Sequence, residues 1–177
     1  MCCGTVCCPA VHIQNPKVKP LNAPLDQRME VAARGQALTT VLVAVESARV
    51  REGLVAMLGA VEGFCVVAEA GSDQAAIEAA RSQRPHLALV EPELSVCGGW
   101  WVIQQIRAEH LASVVVALGR RADGMLARTV GAQSYVQMGT APRDLLRALE
   151  AALAVRANSG SAAQAEHDLL PDAHSVL

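Results

Sequence analysis

The chain has 177 residues, enough for one modest domain with tails and too few for two full cores. It is 52% hydrophobic but only 2% aromatic, so its core must be built from Val, Leu, Ile and Ala, and a net charge of -2 argues against a basic nucleic-acid surface. Its two lysines, Lys17 and Lys19, precede any strand-like pattern, and no apolar run reaches the roughly 18 residues of a membrane span.

Residues 1–38 show no sustained period and carry Pro9, Pro16, Pro20 and Pro24, so a disordered leader is expected there. Cys2, Cys3, Cys7 and Cys8 crowd its start. Four thiolates suit Zn or Cu(I), but metal knuckles usually hold their ligands on folded turns, so incidental cysteines are the competing reading. Translation from Met29 instead of Met1 also stays open. No basic stretch precedes an apolar segment as in a secretory signal, so a cytoplasmic protein without a membrane partner is expected.

From Thr39 short β-branched runs alternate with Ala- and Leu-rich stretches, five times over. A strand is predicted at residues 41–45, VLVAV, then a helix over 48–58 with Val50, Leu54, Val55 and Leu58 at helical spacing and Gly59 as its stop. The second strand covers 64–69, and Ser72 caps a helix over 73–83 that buries Ala76, Ile77 and Ala80. Pro85 closes that unit.

The third strand, 86–91, ends in Glu91 and leads through a Pro- and Gly-containing loop into a helix with Val102, Ile103 and Ile106 on one face. Trp100 and Trp101 open that helix, and their separation of about 100° sends one inward and leaves the other nearer the surface. The fourth strand covers 113–118, followed by the polar loop GRRADG and a weak helix near 125–130. The fifth strand covers 133–136. Pro142 opens a last helix to about residue 155, with Leu145, Leu146, Leu149 and Leu153 inward.

These units predict an α/β fold, a doubly wound five-stranded parallel sheet with helices on both faces, because near-continuous apolar strands belong in a sheet covered on both sides. Chemistry in such folds sits at the carboxyl ends of the strands. No Gly-rich phosphate loop follows the first strand, since Ser47, Ala48 and Arg49 stand there, which argues against dinucleotide binding. His86, Cys65 and Cys97 suggest no ligand cluster, and Glu93 reads as a loop surface charge.

Residues 40–155 resemble the receiver domain of bacterial response regulators, the CheY-like family. VLVAVESARVREGLVAML resembles its first strand and helix, VVAEAGSDQAAIEAARSQRPHLALVE its second and third units, GGWWVIQQIR the segment after its phosphorylation loop, with Gly99 at that segment's glycine, and GAQSYV with PRDLLRALEAAL its fifth strand and last helix. The resemblance implies a site that transfers a phosphoryl group to an aspartate, using two further acidic residues for Mg²⁺, a hydroxyl and a lysine. The phosphoacceptor position falls on Glu91, the acidic pair on Val45 and Glu46, the hydroxyl on Leu118 within one residue, and the lysine on Met138.

Most of that machinery is therefore gone. The implied function is an atypical, non-enzymatic receiver that regulates by protein–protein interaction, as a homodimer or with another regulator, with at most weak Mg²⁺ binding. The alternatives are a phosphorylation-competent regulator using Glu91 with Mg²⁺ near Glu46, and a metal-responsive protein using the N-terminal cysteines. Glu91 itself is read either as a standing mimic of the phosphorylated state or as a tolerated strand-end carboxylate.

Tyr135 falls at the aromatic position that the family uses as a switch; otherwise it is a strand-end residue with its hydroxyl in water. The expected partner surface lies on the fourth helix and fifth strand around Met125, Val130, Tyr135 and Val136. Residues 157–177 read as a flexible tail, whose LLPDAHSVL resembles the opening of a LuxR-type helix-turn-helix domain. Without a recognition helix, DNA binding by this chain alone is not expected.

Overall fold

The computed structural model describes residues 38–94, 97–121 and 123–167, with side chains to residue 156. Five strands, β1 (Thr39–Ala44), β2 (Phe64–Ala70), β3 (Leu87–Val90), β4 (Val114–Gly119) and β5 (Ser134–Gln137), alternate with α1 (Ala48–Gly59), α2 (Asp73–Gln83), α3 (Gly99–Ala108), α4 (Gly124–Thr129) and α5 (Pro142–His167). All strand pairs are parallel, in the order β2-β1-β3-β4-β5. The strand order reverses at β1 and β3, so a crevice opens where their carboxyl ends lie side by side.

Strand alternation sorts the apolar runs onto two faces. Leu42, Ala44, Ala88, Val90, Val115 and Ala117 pack with Ile77, Ile103 and Ala127 on the side of α2, α3 and α4. Val41, Val43, Leu89, Val116 and Leu118 pack with Leu58 and Leu149 on the side of α1 and α5. Every residue of β3 and β4 is buried, as a sheet covered on both sides requires. The Ser72 hydroxyl accepts from the Ala75 amide at 3.3 Å, the expected cap of α2.

The last helix differs from the expectation. It continues beyond residue 155 to His167, through the first part of the segment read as a flexible tail. Alanines at 151, 152, 154, 157, 162, 163 and 165 favour helix strongly enough to carry it past Gly160. Residues 168–177 and the leader cysteines Cys2, Cys3, Cys7 and Cys8 lie outside the described residues. No helix among the described residues is long and apolar enough to cross a membrane.

Candidate functional site

Glu91 follows the last residue of β3 and stays tied to β1, its amide donating to the Ala44 carbonyl at 2.8 Å. Its side chain is fully buried. A carboxylate out of water needs partners, and this one has two. Oε2 accepts the Glu46 amide at 2.8 Å, and Oε1 faces Nη2 of Arg120 at 3.4 Å. The extra methylene that separates glutamate from aspartate lets the carboxylate span from β3 to the turn between β1 and α1.

The other positions around the crevice are built for packing. Val45 is fully buried on the α1 and α5 side, whereas Glu46 is exposed. Arg51 of α1 fills the space beneath that turn, donating to the Val45 carbonyl at 2.8 Å and the Glu46 carbonyl at 3.3 Å and pairing with Glu69 at 3.5 Å. The Val45 and Glu46 carbonyl oxygens are thus held by an internal guanidinium. Among the described residues no group of three or more His, Cys, Asp or Glu side chains is placed to hold a metal ion.

Two sequence-derived positions point elsewhere. Leu118 has the parity of Val114 and Val116 and packs beneath α1 and α5, so the residue at the crevice end of β4 is its neighbour Gly119. Met138 packs against that same face and lines an apolar groove of about 250 Å³ with Leu54, Met57, Pro142 and Leu145. Val136 is also buried there, with 6% exposure, so the outward surface of this edge narrows to Met125, 86% exposed, and Leu126.

Tyr135 is half-buried on the opposite face, and its hydroxyl donates to the Arg121 carbonyl. Burial pushes its phenol above the usual range; nearby Asp123 and Glu93 charges add to this, and a backbone hydrogen bond from Asp123 opposes it. Trp100 packs against the α2–α4 core while Trp101 stands at the surface, as their spacing predicts. His86 bonds to Thr40 at the far, amino end of the sheet, away from the crevice.

Sequence reasoning missed four participants. Arg120 and Gly119 belong to a stretch read as a polar loop; the available signal was a basic residue directly after a strand that neighbours β3. Arg51 falls within the first predicted helix, outside the apolar positions that marked it. Asp73 is 4% exposed and accepts the Cys97 amide on Oδ2 at 2.7 Å and the Gln74 amide on Oδ1 at 2.8 Å, fastening the loop after β3 to the start of α2.

A doubly wound domain with a carboxylate at the switch point, flanked by the β1–α1 turn and the β4–α4 connection, is the architecture of a receiver. No family model matches the chain. Over 115 residues it is 32% identical to the transcriptional regulatory protein PdtaR of Mycobacterium tuberculosis, covering 64% of this chain and 56% of that protein. The chain thus spans about half the length of the curated relatives it matches.

Its structure is similar to a LuxR-family two-component response regulator from Aurantimonas sp. SI85-9A1, with a TM-score of 0.63 and 27% identity over 68% of this chain and 88% of that one. It is similar in fold to a CheY-like receiver domain protein from Methanospirillum hungatei JF-1, with a TM-score of 0.63 and 17% identity over 70% and 99% of the two chains. The described domain has the fold of CheY-like receiver domains and is similar in sequence to response regulators.

Proposed function

We propose that this domain is a degenerate receiver that acts in cytoplasmic signal transduction and transcriptional regulation by binding a protein, without phosphoryl transfer to Glu91. One observation carries the reading. Both oxygens of the Glu91 carboxylate are already engaged, by the Glu46 amide and the Arg120 guanidinium.

A nucleophile in that setting would have to leave a hydrogen bond and a cation before attacking. The groups that would then stabilise the transferring phosphoryl are replaced by Gly119 and Met138, and loss of a single preorganised electrostatic contact costs roughly 100- to 1,000-fold in rate. The donor set does not fit Mg²⁺, which demands several oxygen ligands in near-octahedral array. Val45 offers none, Arg51 holds the neighbouring carbonyls, and Arg120 brings a positive charge to the remaining carboxylate.

The domain retains its scaffold and an exposed edge at Met125 and Leu126, which suits a binding role. Its partner is a second copy of the chain or another regulator. Titration with millimolar Mg²⁺, followed by the fluorescence of Trp100 and Trp101 beside the crevice loop, is expected to give no saturable change. A saturable change abolished by Glu91→Ala would contradict this reading.

A further inference from the structure

At the crevice end of β4, Gly119 is buried, and a Cβ there would stand 2.6 Å from the Tyr135 hydroxyl and 3.1 and 3.2 Å from Cε2 and Cζ of its ring. A Cβ there overlaps the hydroxyl and crowds that end of the ring. At the other end of the side chain, a Cβ on Gly124 would meet Tyr135 Cβ and Cγ at ordinary contact distances, 3.9 and 4.0 Å. The tyrosine therefore lies along the β4–α4 connection from the first residue of α4 to the last residue of β4.

Three contacts, one from β5 and two from the segment after β3, converge on the two residues that follow Gly119. The Tyr135 hydroxyl of β5 donates to the Arg121 carbonyl. Glu93, in the loop after β3, accepts the Arg120 amide at 3.4 Å. Buried Glu91 faces the Arg120 guanidinium at 3.4 Å. Each contact is modest alone, and Arg120 is 62% exposed, but together they fix this backbone from both sides.

We propose that Gly119 and Tyr135 form a built-in clamp that holds the β4–α4 connection, and with it Arg120, over Glu91 with no phosphoryl group or metal ion present. Gly119 supplies the vacant space, Tyr135 fills it and tethers Arg121, and Arg120 is thereby positioned on the carboxylate. The edge formed by α4 and β5 then has one resting shape. The raised ionisation range of the phenol agrees with a ring withdrawn from water.

Tyr135 is the single tyrosine of the chain, so its ultraviolet titration reports on the clamp directly. In full-length Gly119→Ala the hydroxyl end of the ring is displaced from its place beside β4, and the titration midpoint is expected to fall toward about 10. Hydrogen exchange at the amides of Arg120, Arg121 and Asp123 is expected to quicken by about tenfold or more, the effect of losing about 1.4 kcal/mol of local stability. The charges of Asp123, Glu93, Arg120 and Arg121 around the phenol are unchanged by that substitution. A midpoint and exchange rates equal to wild type would overturn the proposal.

Tyr135→Phe provides the same test if Gly119→Ala does not fold. It keeps the ring and removes the tether, so exchange at Arg121 and Asp123 should quicken, and unchanged exchange would overturn the clamp. The inference rests on Glu91 being unphosphorylated. The titration and exchange are read on protein that has met no phosphodonor, so phosphorylation at Glu91 would defeat that reading without imitating failure of the clamp.

Discussion

Replacement of Gly99 by alanine is expected to destabilise the domain by about 3 kcal/mol, the upper end of the usual cost of overpacking. Gly99 begins α3 directly against the end of β3. A Cβ there would lie 1.9 Å from the Glu91 carbonyl oxygen, 2.8 Å from the Glu91 carbonyl carbon and 2.8 Å from Pro92 Cα. All three are backbone atoms, so no side-chain rotation relieves the collision. The Gly99 amide also donates to the Pro92 carbonyl at 3.0 Å, which prevents the helix from simply backing away. Urea unfolding followed by circular dichroism measures the effect as a lower midpoint at unchanged slope. A change within about 0.5 kcal/mol, typical of a surface substitution, would contradict the close approach.

Glu91→Ala is expected to cost about 3 kcal/mol as well, for a different reason. It opens a void at a fully buried position and leaves the Glu46 amide without its acceptor. Glu91→Gln keeps an oxygen for that amide and removes the need to bury a charge, so it should stay within about 1 kcal/mol of wild type. Parallel urea titrations of the two variants decide the matter. Equal and large losses would mean that the ion pair with Arg120, and not the hydrogen bond to the β1–α1 turn, holds Glu91 in place.

Much of the fold was legible because its central strands are apolar at nearly every position. Residues 41–45, 86–91 and 113–118 could be read as doubly covered strands without knowing their neighbours, and the Ser72 cap stands where the sequence placed it. The end of α5 was not legible, since an Ala- and Ser-rich segment has the composition of a linker and the propensity of a helix at once.

The site was legible in position and not in geometry. The sequence located Glu91 at a strand end and set Met138 at the position where the resemblance implies a lysine. Which of Leu118 and Gly119 faces the crevice depends on strand parity, and a one-residue ambiguity inverts the face. Arg120 was hidden because a basic residue in a polar loop has no local pattern; only the adjacency of β3 and β4, a long-range pairing, brings it to Glu91. The direction of Met138, into an apolar groove beside α1, likewise follows from packing across the sheet.

The central claim is that the Glu91 carboxylate is held by the protein itself and does not accept a phosphoryl group. Intact-mass measurement of the full chain after incubation with acetyl phosphate and Mg²⁺ tests it most directly. The account predicts a mass identical to that of the untreated protein. A gain of one phosphoryl group, absent from Glu91→Ala treated in the same way, would contradict it.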